Sequence, residues 1–399
     1  MIYVHIPYCR SFCTYCDFYS EVAARCSTYD GFAKALSAEI AARESEIRNN
    51  IQSPSGANTL YIGGGTPSVL PLGVFEDLLG SLKSVGCKCS FDEFTVEVNP
   101  EDIVEKGHEY VEGLLKLGVN RVSMGVQSFD DVTLKWMNRR HDSARAKQAY
   151  AILEEAGVGN ISIDLIFGLP QLDLQSWRDN LSKALSISPT GVLPRHISSY
   201  QLSVEEGSAL AAMMAKGRWS EASDEICAIQ YETLCECLRE AGYHHYEISN
   251  FAQPGYEAVH NSAYWNHTPY VGLGPGAHSF GSFPVKVGMD DRASQPQDGR
   301  FERKWNNPDL KAYINAGQSG DFSSVQGGEE LTGEQLSLER LMLGLRTSAG
   351  VPAAFVQEFC SKDDLARAIN DGHLLLLDTE CYRIPEDKFF ISDSIISNL

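Results

Sequence analysis

Short apolar runs alternate with longer amphipathic segments over the first half of the chain, from residue 1 to about residue 202. The apolar runs have the length of β-strands, and segments such as 29–47 and 144–156 repeat apolar residues near helical spacing. Six strand and helix units can be counted. Their predicted strands cover residues 2–6, 59–62, 94–98, 121–125, 161–167 and 196–202. This alternation predicts a parallel α/β sheet or barrel.

The second half of the chain is less regular. A helix is predicted over 224–240, followed by an aromatic, glycine-rich region over 243–280 and a polar stretch around 294–303. Residues 317–330 are rich in Gly, Ser and acidic residues and are predicted to be a linker. The remaining predicted elements are helices over 336–345, 353–359 and 362–370 and a hairpin over 374–384.

These patterns predict four parts: an α/β core over 1–215, an extension over 216–316, the linker over 317–330, and a smaller, mainly helical C-terminal domain over 331–399. A helical module with a terminal hairpin can be a DNA-binding winged helix, but the acidic balance of this one favours a structural or docking role. Within the core, the polar residues Arg48, Asn49 and Asn50 predict that the helix over 29–47 ends before them.

Composition and charge narrow the class of protein. A chain of 399 residues with 43% apolar residues can bury a large core. The net charge of −20 comes from acidic residues scattered along the chain, which argues against binding to nucleic acids or anionic membranes. We find no run long enough for a membrane span and no signal peptide at the start, so the sequence predicts a cytoplasmic protein.

Three of the 11 cysteines follow the first predicted strand with the spacing C-x3-C-x2-C, at Cys9, Cys13 and Cys16. Thiolates are the ligands that iron–sulfur clusters select, and three of them leave one iron of a four-iron cluster free for a substrate or cofactor. Half of a zinc site or a disulfide fragment is the alternative, but no second cysteine or histidine pair with zinc spacing follows. The spacing therefore favours a cluster with one open iron, and the other eight cysteines are interpreted as small hydrophobic residues.

Polar residues also stand at the ends of the predicted strands. The loop 63–67, Gly-Gly-Gly-Thr-Pro, has few side chains and would let a ligand approach the backbone, although a plain tight turn is the commoner explanation. Glu97, Gln127 and Asp164 lie near the ends of three further strands or within them, and a carboxylate inside an apolar strand needs a partner. Together they predict one pocket for a ligand with hydroxyl and amino groups, where Arg139 could bind a carboxylate.

Five segments, in this order, resemble the radical S-adenosylmethionine family: YVHIPYCRSFCTYC, YIGGGTPS, VEVNPE, RVSMGVQSF and IDLIFGLP. The resemblance extends over nearly the whole chain. It is closest to the branch that contains oxygen-independent coproporphyrinogen III oxidases and heme chaperones. It implies that residues 1–215 form a partial (β/α)6 TIM-like barrel.

The resemblance also implies roles for individual residues. Cys9, Cys13 and Cys16 would hold a 4Fe-4S cluster whose fourth iron chelates S-adenosylmethionine (SAM), and one electron from the cluster would cleave SAM to a 5′-deoxyadenosyl radical. The remaining residues match two SAM sites of the family: Tyr3, Gly64 and Glu97 at the first, and Gly65, Thr66, Gln127, Arg139 and Asp164 at the second.

Three features separate the two branches. The oxidases carry a further cysteine two residues after the last cluster ligand, where this chain has Phe18, and they carry a long extension before the first strand. Residues 260–265, His-Asn-Ser-Ala-Tyr-Trp, are similar to the HNxxYW motif associated with heme binding in the chaperones. The resemblance thus implies that His260 is a heme ligand. Four rivals lie in the same aromatic region: His244, His245, His267 and His278.

The sequence therefore supports two functional hypotheses. The first is a heme chaperone that carries a 4Fe-4S cluster and SAM, binds heme near His260 and transfers it to an acceptor protein, with an electron donor serving the cluster. The second is an enzyme, an oxygen-independent coproporphyrinogen III oxidase, against which Phe18 counts. Whether the protein catalyses a reaction stays open at this point.

Overall fold

A nine-stranded sheet forms the centre of the computed structural model, which describes residues 1–22, 26–51, 57–282 and 301–399. The strand order is β11-β1-β4-β5-β6-β7-β8-β10-β9. The strands of the chain are β1 (Ile2–Ile6), β2 (Tyr8–Cys9), β3 (Glu21–Val22), β4 (Thr59–Gly64), β5 (Glu93–Val98), β6 (Arg121–Gln127), β7 (Ile161–Phe167), β8 (His196–Gln201), β9 (His244–Glu247), β10 (Asn250–Ala252), β11 (Val271–Leu273), β12 (His278–Gly281), β13 (Phe301–Asn306), β14 (Gln326–Leu331), β15 (Val351–Pro352), β16 (Leu375–Leu376) and β17 (Cys381–Arg383).

Helices connect most of these strands. They are α1 (Cys26–Ala42), α2 (Glu44–Ile51), α3 (Leu72–Ser84), α4 (Pro100–Lys116), α5 (Asp131–Trp136), α6 (Ser143–Glu155), α7 (Leu174–Leu185), α8 (Ala209–Ala215), α9 (Asp224–Glu240), α10 (Val259–Trp265), α11 (Leu310–Ser319), α12 (Gly333–Gly344), α13 (Ala353–Phe359), α14 (Lys362–Asn370) and α15 (Ser392–Ser397). Single 3-10 turns lie at Pro67–Val69, Ser323–Val325 and Glu386–Ile391.

The six strands predicted from the apolar runs are all present and adjacent. From β1 through β8 they pair in parallel, and β11 adds a further parallel strand beside β1. Side chains such as Val4, Ile62 and Val96 are fully buried, because helices cover the outer face of a parallel sheet. The sheet is open rather than a closed barrel, and β10 and β9 extend it in antiparallel fashion. The predicted α/β class and partial barrel are confirmed.

The first long helix differs from its prediction. It breaks after Ala42, and a second helix continues to Ile51, through the polar residues that were expected to lie outside it. Those residues have tertiary partners. The Arg48 side chain donates to the Val85 carbonyl, and Asn50 is buried, where it accepts from the N-terminal amine and donates to the Pro269 carbonyl. Polarity alone therefore misplaced the end of this helix.

The segment 317–330, which the sequence analysis interprets as a linker, has regular secondary structure. It contains the end of α11, a 3-10 turn and most of β14, which pairs with β13 in a three-stranded sheet of order β12-β13-β14. Gly327, Gly328, Glu329 and Glu330 belong to this strand, whose middle is exposed. The C-terminal helices and the hairpin of β16 and β17 are confirmed, whereas the polar stretch 294–303 lies mostly outside the described residues.

One buried ion pair joins the outer elements to the main sheet. Glu39 on α1 is fully buried and pairs with Arg43 at 3.0 Å. The Glu39 carboxylate also accepts from the Gly274 N–H, from Asn306 on β13 and from the Tyr313 hydroxyl on α11. A buried carboxylate is tolerated only when its lone pairs are satisfied in this way. Glu39 thus links a core helix, the turn after β11 and the three-stranded sheet.

We expect Glu39→Ala to lower the free energy of unfolding by about 3 to 5 kcal/mol, because Arg43, Asn306 and Tyr313 would lose the buried acceptor that they share, while Arg43 would keep its pair with Glu46. Urea denaturation of the purified variant measures this difference. Lys34→Ala, which breaks the exposed pair with Asp30 on the same helix, is the matched control and should change stability by less than about 1 kcal/mol. Equal stability of the two variants would contradict the role assigned to Glu39.

Candidate functional site

The carboxyl ends of the six parallel strands surround a cavity of about 740 Å³. Residues from β1 at one side of the sheet and from β8 at the other line this same cavity, so the sheet wraps around it. Every residue predicted for the cluster, for SAM and for heme lies on its lining: Tyr3, Cys9, Cys13, Cys16, Gly64, Gly65, Thr66, Glu97, Gln127, Arg139, Asp164 and His260. The structure therefore brings together residues spread over more than half of the chain.

The three cysteines lie on the loop that follows β1 and are each partly exposed to the cavity as free thiols. Burial raises the pKa of Cys16 to about 11 and raises that of Cys9 above its usual value, since a thiolate is poorly solvated there. Because a metal binds the thiolate form, binding would release the protons of these thiols. Soft sulfur ligands on one short loop fit an iron–sulfur cluster.

The glycine loop after β4 packs against the start of the cysteine loop. The Gly65 N–H donates to the Ile6 carbonyl at 2.8 Å, the Thr66 N–H donates to the Tyr8 carbonyl at 2.7 Å, and the Thr66 hydroxyl lies 3.3 Å from the Cys9 sulfur. A Cβ at position 65 would lie 2.6 Å from the Tyr8 carbonyl oxygen. The sequence suggested that these glycines make room for a ligand, but contact between two protein loops already requires one of them.

Two carboxylates face the middle of the cavity. Glu97 accepts from the Tyr61 hydroxyl at 2.7 Å and from the Gly64 N–H at 3.2 Å, and Asp164 accepts from the Ser123 hydroxyl at 3.2 Å. Burial raises the pKa of Glu97 to about 7 and that of Asp164 to about 6. The charge state of both carboxylates near neutral pH therefore depends on the ligand that occupies the cavity. The partner that the sequence analysis required for Asp164 is present.

Arg139 and Gln127, which are also matched to SAM, lie close to Gly125 in the cavity wall. Arg139 donates to the Gly125 carbonyl at 2.6 Å and lies 3.5 Å from the sulfur of Cys13. Gln127 ends β6 with a φ of 69°, which is unfavourable for a residue with a side chain. The pairing with β7 shifts register between Gly125 and Gln127. Such strain is often found at ligand sites, where the surrounding structure holds it in place.

His260 lines the inner end of the cavity on α10 but is only 1% exposed. Its Nδ1 lies 2.7 Å from the Thr59 hydroxyl and its Nε2 lies 3.1 Å from the Tyr264 hydroxyl. Both ring nitrogens are therefore engaged within the protein. Ligation of a heme iron by His260, which the motif implies, would therefore require one of these hydrogen bonds to open, and it stays a prediction.

The structure adds residues that the sequence analysis missed. Tyr61 holds Glu97, and Arg121 lies in the cavity wall with 3% exposure and an Nε without a hydrogen-bond partner in the described part of the chain. Both lie at inward-facing positions of predicted strands. Arg121 could have been identified from the sequence, because it is a charged residue in an otherwise apolar strand. Asp164 was identified by the same feature. For Tyr61 no local signal existed.

A family comparison agrees with this architecture. The model of the radical SAM superfamily matches residues 3–184 of the chain. A solved structure titled as the Escherichia coli coproporphyrinogen III oxidase HemN, a radical SAM enzyme, superimposes with a TM-score of 0.76 over 100% of this chain and 89% of that chain, at 21% identity. At that identity the likeness shows a shared fold.

Similarity to curated proteins identifies a smaller group within this superfamily. The heme chaperone HemW of Synechocystis is 33% identical over 88% of this chain and 78% of its own length, and that of Bacillus subtilis is 34% identical over 88% and 84%. A mitochondrial radical SAM domain-containing protein 1 from Danio rerio is 30% identical over 100% of this chain and 86% of its own. The chain belongs to the radical SAM superfamily, in the group of these HemW relatives. The family uses a 4Fe-4S cluster and SAM.

In the part of the chain that the structure describes, no helix is long and apolar enough to cross a bilayer. In the same residues, no three His, Cys, Asp or Glu side chains are grouped as ligands for a single metal ion.

We expect Cys13→Ala, in protein reconstituted anaerobically with iron and sulfide, to abolish the visible absorbance of the cluster, because two thiolates on this loop cannot retain it. Iron and sulfide analysis together with absorption spectroscopy measures the outcome. Cys237→Ala serves as the control, since Cys237 is a partly buried cysteine of α9 outside the cavity lining, and it should keep the full chromophore. A full chromophore in the Cys13 variant would contradict this ligand set.

Proposed function

We propose that this protein is a heme chaperone of the HemW type, which binds heme in addition to a 4Fe-4S cluster and SAM and transfers the heme to an acceptor protein. The observation that carries the proposal is the identity of 33% with a HemW over 88% of this chain. An unidentified acceptor and an electron donor complete the set of partners. We also retain the cytoplasmic location as a proposal.

The cavity supports assignments for SAM. We assign Tyr3, Gly64 and Glu97 to one SAM molecule, and Gly65, Thr66, Gln127, Arg139 and Asp164 to a second. Glu97 and Asp164 suit hydroxyl and amino groups, because both are acceptors held in place by the protein. The cluster, when bound, supplies the electron that cleaves SAM. The protein residues orient the ligand and exclude water from it.

We favour a histidine other than His260 as the ligand of the heme iron, because both ring nitrogens of His260 are hydrogen-bonded within the protein. Among its rivals, His244 and His267 each pair with a glutamate, and His245 is buried and stacked on Phe251. His278 on β12 is exposed, and its ring nitrogens have no hydrogen-bond partner in the described parts of the chain. We assign the heme iron to His278.

The surroundings of His278 suit a porphyrin. Partial loss of contact with water lowers the pKa of His278 below its usual value, and the positive charge of Arg303 lowers it further, which favours the neutral form of the ring that binds iron. The Trp305 ring lies 6.1 Å away with an interplanar angle of 31°, which provides a flat apolar surface beside the ligand. The turn before β12 also packs against Tyr19, which follows Phe18 at the cavity mouth.

Two aromatic side chains are exposed at the mouth of the cavity. Phe12 and Phe18, both on the cysteine loop, are 54% and 69% exposed and line the opening. Exposed aromatic side chains of this kind mark surfaces that bind an apolar ligand or a protein. They support docking of heme, or of the acceptor that receives it, next to the cluster.

The alternative function is that of an oxygen-independent coproporphyrinogen III oxidase. The HemN likeness supports the fold and does not distinguish between the two activities. Phe18 occupies the position of the further cysteine that the oxidase pattern requires, and its side chain points to solvent at the cavity mouth. This position favours the chaperone.

Reconstituted protein should bind heme with a stable Soret band and should form no protoporphyrinogen from coproporphyrinogen III under anoxia with SAM and a reductant. Heme titration and chromatography of the reaction products measure the two results. Heme-loaded protein should also lose its heme to a high-affinity acceptor such as apomyoglobin. Robust decarboxylation without heme binding would contradict the chaperone function and support the oxidase function.

For the heme ligand, we expect His278→Ala to weaken heme binding roughly tenfold or more and to shift the Soret band, because the iron loses an axial nitrogen. Heme titration at pH 7.5 measures both effects. His244→Ala, which removes another exposed histidine of the same region, is the matched control and should bind heme as the wild type does. If the two variants behave alike, His278 is not the ligand.

A further inference from the structure

His260 is held at both ends of its ring. Thr59 on β4 bonds one ring nitrogen and Tyr264, one turn further along α10, bonds the other. Burial lowers the pKa of His260 to about 3, so the ring is neutral, with one nitrogen as donor and the other as acceptor. Hydroxyl groups can satisfy either arrangement. A ring fixed in this way acts as a structural support.

The backbone of His260 is fixed as well. Glu93, at the start of β5, is 5% exposed and accepts from the N–H of Val259 at 2.7 Å and from the N–H of His260 at 3.0 Å. The first turn of α10 is thus bonded to β5, while the imidazole is bonded to β4. These contacts place the ring at a defined position against two neighbouring strands of the sheet.

The ring packs directly against a residue of the SAM cavity. The ring centroids of His260 and Tyr61 are 5.1 Å apart, with an interplanar angle of 32°. Tyr61 and Thr59 lie two residues apart on β4 and therefore point to the same face of the sheet. The Tyr61 hydroxyl donates to Glu97 at 2.7 Å. One continuous set of contacts thus runs from His260 through Tyr61 to the Glu97 carboxylate.

The motif that contains His260 belongs to the same wall. Asn261 and Tyr264, the second and fifth residues of the motif, line the cavity. Asn261 donates to Glu247 at 3.5 Å, and Tyr264 packs edge to face on Tyr270. The motif closes the inner end of the cavity.

We propose that His260 is a positioning residue of the SAM site: its imidazole holds the Tyr61 ring, and through the Tyr61 hydroxyl it sets the position of the Glu97 carboxylate. The HNxxYW segment then supports the binding of SAM and does not ligate heme iron. This inference rests on the proposed binding of SAM in the cavity.

The test uses the full chain with a reconstituted cluster. SAM affinity is measured from the change that SAM causes in the electron paramagnetic resonance spectrum of the reduced cluster, and heme affinity is measured by Soret titration. His260→Ala should weaken SAM binding roughly tenfold, the effect of one lost positioning hydrogen bond, and should leave heme affinity and the Soret maximum unchanged. His244→Ala should change neither affinity.

A second variant keeps the test decisive if His260→Ala folds poorly. Tyr61→Phe removes one hydroxyl and keeps the ring, so it breaks only the last contact to Glu97. It should weaken SAM binding by a similar factor, and the double variant should lose little more than either single one, because both act through the same carboxylate. Additive losses would contradict the shared route.

The possible outcomes separate the two claims. If the wild type itself shows no SAM effect on the cluster spectrum, the proposed function fails at its SAM site, and this inference fails with it. If the wild type binds SAM normally and His260→Ala binds it equally well, only the inference is wrong. Loss of heme affinity in His260→Ala with intact SAM binding would restore the histidine as the iron ligand.

Discussion

The contact between the glycine loop after β4 and the start of the cysteine loop after β1 is the constraint on which the site depends. Two backbone hydrogen bonds, from Gly65 to Ile6 and from Thr66 to Tyr8, join them at a distance that leaves no room for a side chain at position 65. The parallel pairing of β1 with β4 brings the two loops together. The cysteine loop is thereby held over the cavity, where a cluster on its thiols would face the space enclosed by the sheet.

Burial determines the electrostatics of that space. The pKa values of Glu97 and Asp164 are raised to about 7 and about 6, because each carboxylate has lost most of its contact with water. The positive charge of Arg121 opposes this effect at both residues. A ligand that carries a sulfonium and an amino group, as SAM does, would favour the ionised carboxylates further. The strand framework thus places acidic groups where a cationic ligand is expected.

The histidines of the second half have distinct environments, and these environments suggest distinct roles. His260 is enclosed by Thr59, Tyr61 and Tyr264, so it supports the wall of the cavity. His278 stands exposed on a small sheet next to Trp305, so it is open to a ligand from solvent. The chaperone proposal then has two neighbouring sites, one inside the sheet for SAM and one outside it for heme.

The sequence predicted the α/β class, the six parallel strands and the cysteine loop, because strand and helix periods and short motifs are local signals. With the family resemblance it also predicted twelve of the residues that line the cavity. It misjudged 317–330, since glycine and acidic residues do not show that a neighbouring strand will pair with them. The surroundings of His260 depend on the packing of distant parts of the chain, because its partner Thr59 is 201 residues away. Such a bond depends on how distant elements pack, and no local pattern encodes it.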